Sequence, residues 1–364
     1  MRILMTTDSV GGVWSYAVEL ARALGPLNID VTLACLGPLP RAHQYAAVNA
    51  LDNVELVTAD YRLEWMPDCE DDLDRAGDWL LELEARIQPD IIHLNGYAHG
   101  ALPFAAPTLI VGHSCVLSWW RAVKGGDAPP SWDGYRRRVR AGLNGADAVV
   151  APTAWMLSQL LGSYDARFSG LVINNGRRRA DYRPGQPAKY VLAAGRSWDQ
   201  AKNLETLDDA AASLPWPVRV AGPTIDPSGQ PVAARNVELI GALASHVLGW
   251  RMAQASIFVH PARYEPFGLA PLEAGLSGCA LVLGDISSLR EIWGDAAVFV
   301  APDDSEALAA ALRELIDDPK RRATMASRAE LRAKRYGVAR MVAAYHDLYL
   351  ELASDARTLS ACAS

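Results

Sequence analysis

The chain has 364 residues, of which 50% are apolar and 21% are charged, and its formal net charge is −7 at pH 7. A chain of this length exceeds what one hydrophobic core usually fills, and this composition excludes a wholly disordered protein. Because the net charge is negative, we predict no nucleic-acid partner, and an anionic ligand requires a local cluster of cations.

Short apolar segments alternate with helical patterns along the first half of the chain. They predict strands over residues 2–5, 30–36, 90–94, 108–111, 148–151 and 171–173. The alternation restarts after Pro184, with strands predicted over residues 190–194, 218–221, 237–240, 257–260, 280–283 and 297–300. This pattern is typical of doubly wound parallel sheets, so we expect an α/β protein with two Rossmann-like domains.

The turn signal Asn175-Gly176 precedes an arginine-rich segment without apolar periodicity, and it marks the expected domain boundary. The predicted domains are residues 1–176 and 177–337. Residues 338–364 are predicted to form a helix that returns to the first domain and ends in a loose tail after residue 354. Two such domains facing each other would enclose a cleft lined by the loops at the carboxyl ends of the strands, where ligands bind.

Cysteines and apolar segments bear on the cellular compartment. The five cysteines are scattered without a CxxC pair, at Cys35, Cys69, Cys115, Cys279 and Cys362. This distribution favours neither a zinc site nor a disulfide framework, and it suits a reducing cytosol. No uncharged apolar run reaches the roughly 18 residues of a membrane span, and the first predicted strand begins at Arg2 without a leader. We therefore expect a cytoplasmic protein.

The first strand-to-helix loop contains Gly11 and Gly12, directly before a helical pattern. Adjacent glycines let a ligand approach the N–H groups of a helix N-terminus, where the helix dipole favours a phosphate or an oxyanion. The loop lacks the third glycine of a dinucleotide fingerprint, so a plain tight turn is the alternative interpretation.

The loop after the strand at 190–194 carries two cations, Arg196 and Lys202. The guanidinium offers a fork for a phosphate and the ammonium offers a point charge, so together they could neutralise a departing diphosphate. The alternative is a solvated loop whose cations are incidental.

The loop after the strand at 257–260 carries Glu265, and the helical pattern behind it carries Glu273. Gly268 gives backbone access, so the N–H groups near Phe267, Gly268 and Leu269 are predicted phosphate donors. Glu273 can accept two hydroxyl protons from a ribose, as acidic residues do in nucleotide sites. The alternative is that both carboxylates only cap a helix.

A carboxylate beside a diphosphate is repelled unless a cation offsets its charge. We therefore expect Glu265 to lie near Lys202 or Arg196, or on sugar hydroxyls.

The spacing of Glu265 and Glu273 within Glu-Pro-Phe-Gly-Leu-Ala-Pro-Leu-Glu-Ala resembles the E-x7-E signature of retaining glycosyltransferases with the GT-B fold, above all family 4. Other segments match in the right order over nearly the whole chain. They resemble the family's N-terminal glycine loop, active-site histidine, interdomain link and diphosphate-binding cations, and they are Gly11-Gly12, His113, Asn175-Gly176 and Arg196 with Lys202.

The resemblance implies roles for these residues. Arg196 and Lys202 would hold the donor diphosphate, Glu273 the ribose, and Glu265 the donor sugar and its developing charge. His113 would contact the donor sugar or the acceptor, and the backbone at Leu243 would meet the nucleobase. One departure is the spacing of six residues between Arg196 and Lys202, which is one longer than the commonest family form.

The resemblance also implies a reaction, transfer of a hexose from a nucleoside diphosphate sugar, by default of the UDP-glucose type. The acceptor is a sugar, a lipid-linked group or a small molecule. No carboxylate nucleophile is marked, so we expect same-face attack with retention. No DxD metal motif is marked and two cations face the diphosphate, so we expect neither metal nor cofactor. A nucleotide-sugar epimerase and a non-catalytic nucleotide-sugar-binding protein are the alternatives.

Aromatic and basic residues cluster in the first domain, which selects the acceptor in this family. They are Trp119, Trp120, Arg121, Lys124, Arg136, Arg137, Arg138 and Arg140. Such residues suit a membrane interface, where they would bind an anionic lipid-linked acceptor. The alternative is a solvated helix face with stacked tryptophans.

Overall fold

The computed structural model describes residues 1–363, except for the side chains of residues 357 and 359–363. The chain forms two compact units. The first contains Met1–Trp120, Gly126–Gly176 and the segment from Val338 onward, and the second contains Arg121–Gly125 and Arg177–Gly337.

Strands and helices alternate along both units. In chain order the strands are β1 (Arg2–Asp8), β2 (Asp30–Leu36), β3 (Val54–Ala59), β4 (Ile91–Leu94), β5 (Thr108–Val111), β6 (Ala148–Ala151), β7 (Gly170–Val172), β8 (Ala188–Ala194), β9 (Val218–Ala221), β10 (Glu238–Gly241), β11 (Ala255–His260), β12 (Ala280–Gly284) and β13 (Val298–Val300). The helices are α1 (Gly12–Leu24), α2 (Ala42–Asn49), α3 (Glu70–Ile87), α4 (Val116–Lys124), α5 (Asp133–Gly145), α6 (Ala154–Tyr164), α7 (Leu204–Ala211), α8 (Ser245–Gln254), α9 (Leu269–Leu276), α10 (Ser287–Trp293), α11 (Ser305–Asp317), α12 (Pro319–Ala333) and α13 (Val338–Ala363).

The first unit is built on a parallel sheet with the strand order β3-β2-β1-β4-β5-β6-β7. Strands β4, β5 and β6 are buried along their whole length, as expected of a sheet covered by helices on both faces. The sequence pattern missed β3, because this edge strand is only half-buried and lacks a continuous apolar run. The strand order reverses between β1 and β4, where a crevice opens beyond the carboxyl ends.

The second unit repeats the plan with a parallel sheet in the order β10-β9-β8-β11-β12-β13. Its order reverses between β8 and β11. The loops that leave these two strands therefore start side by side at one edge of the sheet. The prediction of an α/β protein with two doubly wound sheets is confirmed.

The C-terminal helix α13 packs on the first unit. Its residues Tyr345 and Tyr349 are fully buried and share a hydrophobic core with Tyr16 of α1. The backbone stays helical to Ala363, because the segment from Val338 contains neither glycine nor proline, which would end a helix. The loose tail expected after residue 354 stays a prediction. Ser364 lies outside the described residues.

Four of the five cysteines have described side chains. They are Cys35, Cys69, Cys115 and Cys279, all four are buried, and none of them forms a disulfide. Cys362 lies outside that set. Across the described part of the chain, no helix is long and apolar enough to cross a lipid bilayer.

The backbone of α5 packs unusually closely against the segment that follows β4. A Cβ atom added at Gly142 of α5 would lie 1.8 Å from the carbonyl oxygen of Tyr97. Only glycine permits this approach, which fixes where the β4 loop runs.

We predict that Gly142→Ala destabilises the protein by about 1–3 kcal/mol, because the added methyl group forces the helix away from Tyr97. Gly162→Ala in α6 is the matched control, since nothing lies within 4 Å of the Cβ position at Gly162. Alanine favours a helix over glycine by roughly 1 kcal/mol, so this control is expected to raise stability slightly. Urea unfolding measures both, and equal free energies of unfolding for the two variants would contradict the prediction.

Candidate active site

The second unit brings together the two loops that carry the predicted diphosphate cations and the predicted sugar carboxylate. One loop follows β8 and contains Arg196 and Lys202, and the other follows β11 and contains Glu265. Because β8 and β11 are neighbours at the point where the strand order reverses, their loops meet beyond the carboxyl edge of the sheet.

Lys202 and Glu265 form an ion pair in this place. The Nζ atom of Lys202 lies 2.7 Å from Oε2 of Glu265, and both side chains are largely buried, with exposed fractions of 20% and 16%. The expectation that a cation offsets Glu265 is confirmed for Lys202. Lys202 is the last residue of a single turn of 3₁₀ helix over Gln200–Lys202, which lies between Arg196 and the start of α7.

Glu265 is held by further hydrogen bonds. His260 at the end of β11 places Nε2 3.1 Å from Oε2, and the N–H of Gly268 donates to Oε1 at 3.0 Å. The hydroxyl of Ser288 donates to the carbonyl oxygen of Glu265 at 2.6 Å, which fixes the loop itself. The carboxylate is therefore positioned from both oxygens and from its own backbone.

The charge state of this cluster follows from its contacts. Burial alone would raise the pKa of Glu265, but the ammonium of Lys202 and the contact with His260 hold it well below its usual range. Burial lowers the pKa of His260, so its imidazole stays neutral near pH 7. A neutral imidazole facing an ionised carboxylate must carry its proton on Nε2. His260 is thus a hydrogen-bond donor to Glu265.

Arg196 has a carboxylate partner that the sequence analysis missed. Its Nη2 atom lies 2.8 Å from Oδ2 of Asp199, and its guanidinium lies 5.5 Å from the ring centroid of Trp198. Within residues 1–363, the buried Nε of Arg196 has no hydrogen-bond partner. Burial would raise the pKa of Asp199, yet the charges of Arg196 and Lys202 lower it. The guanidinium is oriented by an ionised carboxylate and keeps an unused donor.

Glu273 is also paired in the structure. Its Oε1 atom accepts a hydrogen bond from Nε of Arg177 at 2.8 Å, and both side chains are nearly buried. Arg177 follows the predicted link directly, and its backbone N–H donates to the carbonyl oxygen of Tyr336 at 3.1 Å. Arg177 is not among the predicted site residues, although it lies beside the predicted Asn175-Gly176 turn.

The remaining predicted donor-site residues lie on the same unit with different degrees of exposure. Gly268 has a φ angle of 92° and caps α9, whose first residue is the half-buried Leu269. The side chain of Phe267 is buried against Tyr336, with ring centroids 5.6 Å apart, so only its backbone can serve a ligand. Leu243 is half-buried and packs on the same core.

In the first unit, Gly11 and Gly12 are exposed at the start of α1. Gly11 precedes the helix with a φ angle of 100°, a conformation that favours glycine. The loop is pinned by Asp8, whose Oδ1 accepts the N–H of Val10 at 2.7 Å. The glycines follow β1, which is one of the two strands between which the strand order reverses.

His113 takes part in a hydrogen-bond network whose directions can be derived. The side-chain amide of Asn95 donates to the carbonyl oxygen of Thr6 at 2.7 Å, so its Oδ1 must be an acceptor. That oxygen lies 2.8 Å from Nε2 of His113. Burial lowers the pKa of His113 to about 3, so the ring is neutral near pH 7. The proton is therefore on Nε2, and Nδ1 carries a lone pair.

The network continues to the C-terminal helix. Oδ1 of Asn95 also lies 3.3 Å from Nε2 of His93, and Nδ1 of His93 lies 2.7 Å from the hydroxyl of Tyr349. Burial lowers the pKa of His93 to about 3, and the nearby His113 adds to this effect. Because Nε2 of His93 donates to Asn95, its Nδ1 accepts from Tyr349. Asn95, His93 and Tyr349 are not among the predicted site residues.

The basic cluster of the first unit is largely paired with carboxylates. Arg136 contacts Asp133 at 2.6 Å, and Arg140 contacts Asp165 at 3.0 Å. Arg138 contacts Glu70 at 2.6 Å and Asp74 at 3.0 Å. These ion pairs reduce the positive potential on which the predicted membrane contact depends.

Comparisons with known proteins follow the same division of the chain. A family model described as "Glycosyltransferase Family 4" matches residues 10–176, and one described as "Glycosyl transferases group 1" matches residues 179–332. Together they span residues 10–332 apart from 177 and 178. The chain belongs to the family 4 glycosyltransferases. The resemblance inferred from the motifs is confirmed at the level of the family.

Curated relatives of this glycosyltransferase have names that differ in the molecule they refer to. The glycogen synthase of Mycobacterium tuberculosis is 27% identical over 88% of this chain and 87% of that protein. The D-inositol 3-phosphate glycosyltransferase 2 of Catenulispora acidiphila is 27% identical over 97% and 93%. The O-antigen chain mannosyltransferase B of Escherichia coli is 25% identical over 55% of this chain and 59% of that protein.

Solved structures share the fold of the family 4 glycosyltransferase over nearly its whole length. The sucrose-phosphate synthase of Thermosynechococcus elongatus superposes with a TM-score of 0.81 at 19% identity, covering 98% of this chain and 100% of that chain. Anabaena Alr3699/HepE in complex with UDP-glucose superposes with a TM-score of 0.74 at 18% identity and the same coverage. The predicted GT-B fold class is confirmed.

The pKa of His113 predicts a pH dependence of stability. An unfolded histidine titrates near 6.5, whereas folded His113 stays neutral down to about 3, so between these values the unfolded chain holds more protons. The free energy of unfolding therefore falls as the pH falls through this window.

His113→Gln is expected to reduce that fall by about 1 kcal/mol per pH unit between about pH 6 and pH 4. His43→Gln at an exposed position of α2 is the control for the loss of a histidine as such. Urea unfolding across this range measures the slopes. Parallel slopes for the wild type and His113→Gln would show that His113 is protonated freely in the folded state.

Proposed function

We propose that this family 4 glycosyltransferase transfers a hexose, with retention of anomeric configuration, from a UDP-glucose type donor to a hydroxyl of a glycan, lipid-linked or small-molecule acceptor. The observation that carries the proposal is the Lys202–Glu265 ion pair at the reversal of strand order, beside the unused Nε donor of Arg196. Paired charges and an unpartnered cationic donor in one place suit a ligand that is anionic at one end and rich in hydroxyls at the other.

The cations can bind a diphosphate without leaving their carboxylates. An ammonium has three N–H donors, so Lys202 can keep Glu265 and still donate to a phosphate oxygen. A guanidinium has five, and Arg196 uses Nη2 on Asp199 while its Nε is unpartnered in the described chain. Charge-assisted hydrogen bonds of this kind stabilise by roughly 1.5–3 kcal/mol each.

In the proposed reaction, the bond between the anomeric carbon and the diphosphate oxygen breaks as the acceptor oxygen bonds to the same face of the sugar. The departing phosphate oxygen accepts the acceptor's proton. Lys202 and Arg196 stabilise the negative charge on the diphosphate, and ionised Glu265 stabilises the positive charge on the sugar carbon. His113, with a lone pair on Nδ1, can accept a hydrogen bond from a sugar hydroxyl but cannot donate one there.

The nucleotide and the absence of a metal requirement are parts of the same proposal. The Anabaena neighbour in complex with UDP-glucose supports UDP as the donor nucleotide. Glu273 would hold the ribose while Arg177 orients it, and the backbone at Leu243 would meet the base. Two cations already face the diphosphate, so we propose turnover without a divalent metal. The cytoplasmic location and the membrane contact also stay predictions.

Lys202→Ala is expected to reduce transfer and donor hydrolysis about a hundredfold to a thousandfold, because one preorganised cationic donor is lost. Lys189→Ala is the matched control, since Lys189 is an exposed lysine in β8 of the same unit. Hydrolysis of UDP-glucose, GDP-mannose and ADP-glucose by each protein, with and without chelator, is the measurement.

Equal rates for Lys202→Ala and Lys189→Ala, both folded as judged by circular dichroism, would contradict the role of Lys202. Full loss of activity in chelator would contradict metal-independent turnover. Donor binding in a thermal-shift assay without release of nucleotide for any acceptor would favour the binding-protein alternative.

A further inference from the structure

A pocket of about 460 Å³ lies within the first unit, and its lining includes Arg138 and Glu70 of the ion pairs described above. It is bounded by the segment from Glu64 to Leu73 and by the segment from Ser131 to Val139. Its volume falls within the range of about 300–1,000 Å³ that is usual for small-molecule sites. We call it the Glu64 pocket.

The Glu64 pocket lies beside the reversal of strand order in the first sheet. Oε2 of Glu64 accepts the N–H groups of Tyr97 at 3.0 Å and Ala98 at 2.7 Å, and both residues follow β4. The hydroxyl of Tyr97 in turn donates to the carbonyl oxygen of Ser114 at 2.8 Å, next to His113. The pocket is therefore tied by hydrogen bonds to the loop that positions His113.

Aromatic rings form the walls of the Glu64 pocket. Trp132 and Tyr135 meet edge to face, with centroids 5.8 Å apart and an interplanar angle of 90°. Trp65 lies on the other bounding segment and has 36% of its surface exposed. Flat apolar rings with nearby hydrogen-bonding groups suit the faces and hydroxyls of a pyranose ring.

Glu64 supplies the hydrogen-bonding group. Its Oε2 atom is fixed by the two backbone N–H groups, which leaves Oε1 as the oxygen available to a ligand. Burial raises the pKa of Glu64 to about 7, although the backbone hydrogen bonds oppose this. Near neutral pH the carboxyl group can therefore either accept a hydrogen bond from a sugar hydroxyl or donate one.

The charges around the Glu64 pocket disfavour an anionic ligand. Glu64, Asp68 and Glu70 contribute carboxyl groups to its lining, and Arg138 contributes a guanidinium. Arg138 is already paired with Glu70 at 2.6 Å and with Asp74 at 3.0 Å, so its charge is offset twice. A phosphate group entering this pocket would meet an excess of negative charge.

We propose that the Glu64 pocket binds an uncharged sugar residue of the acceptor, which makes this protein a transferase for neutral glycans in preference to phosphorylated acceptors. This inference rests on the proposed transferase function, and it adds the class of acceptor. Trp65 and Trp132 stack on the sugar faces, and Glu64 bonds the hydroxyls. The preference for an uncharged acceptor sugar distinguishes this chain from those relatives whose names contain a phosphorylated inositol.

The test is a binding titration on the full-length protein with uncharged and phosphorylated saccharides, read by saturation-transfer NMR. The uncharged probes are maltose, cellobiose and α-1,2-mannobiose, and the anionic probe is glucose 6-phosphate. We expect saturable binding of at least one uncharged disaccharide and weaker binding of the phosphate ester.

Trp65→Ala is expected to weaken disaccharide binding about fivefold or more, because a stacking surface is removed. Trp65 is partly exposed, so its removal should leave the fold intact. Trp250→Ala is the matched control, because Trp250 is 54% exposed on α8 of the other unit. Glu64→Gln is a second variant that keeps an oxygen for the Tyr97 and Ala98 N–H groups and should also weaken binding.

The proposal is overturned by any of three results. These are no saturable binding of the uncharged disaccharides, tighter binding of glucose 6-phosphate, and equal affinities for wild type, Trp65→Ala and Glu64→Gln. Donor hydrolysis measured on the same samples keeps the two proposals apart. Hydrolysis without disaccharide binding contradicts only the Glu64 pocket, whereas disaccharide binding without hydrolysis of any donor contradicts the transferase function.

Discussion

The ion pair between Lys202 and Glu265 is the constraint on which the donor side of the structure depends. Neither charge can be buried alone at acceptable cost, so each fixes the position of the other. The strand order of the second sheet brings their two loops together. Hydrogen bonds from Gly268 and His260 then fix the carboxylate of Glu265, and one from Ser288 fixes its backbone. The loops are therefore held in place by their own contacts, which is the preorganisation that electrostatic catalysis requires.

The first unit applies the same logic with neutral groups. A single backbone carbonyl, that of Thr6, decides which way the amide of Asn95 faces. That choice decides the proton position on His113 and on His93, and so the direction of the bond from Tyr349. Burial keeps both rings neutral, because a charged imidazole would find too little solvent. Hydrogen bonds with defined directions thus fix the orientation of His113, as the ion pair fixes the position of Glu265.

The sequence predicted the fold well because buried parallel strands appear in it as continuous runs of apolar residues. It missed β3, whose half-exposed residues lack that run. It predicted that Glu265 lies near Lys202 or Arg196, or on sugar hydroxyls, because a carboxylate beside a diphosphate needs a compensating charge, and the structure selects Lys202. It could not predict the bond between His93 and Tyr349, which are 256 residues apart. Asp199 could have been predicted as a partner of Arg196, because it follows Arg196 by three residues in the loop that carries the predicted cations.

The Glu64 pocket escaped the sequence analysis for a related reason. Its walls come from two segments about 60 residues apart, and each alone resembles an ordinary surface segment. Three of the arginines that suggested a lipid surface, Arg136, Arg138 and Arg140, are partners of nearby carboxylates in the structure. Whether a basic run is a binding surface or a set of ion pairs depends on what the fold places opposite it.

The return of α13 to the first unit has a consequence for biosynthesis. The chain leaves the ribosome from its N-terminus, so the first sheet is made long before the helix that supplies Tyr345 and Tyr349 to its core. Until the α13 segment emerges, an apolar face beside α1 stays uncovered and His93 lacks its hydroxyl partner. The nascent first unit is thus complete only once α13 is available, and the intervening second unit is synthesised, and free to fold, before it.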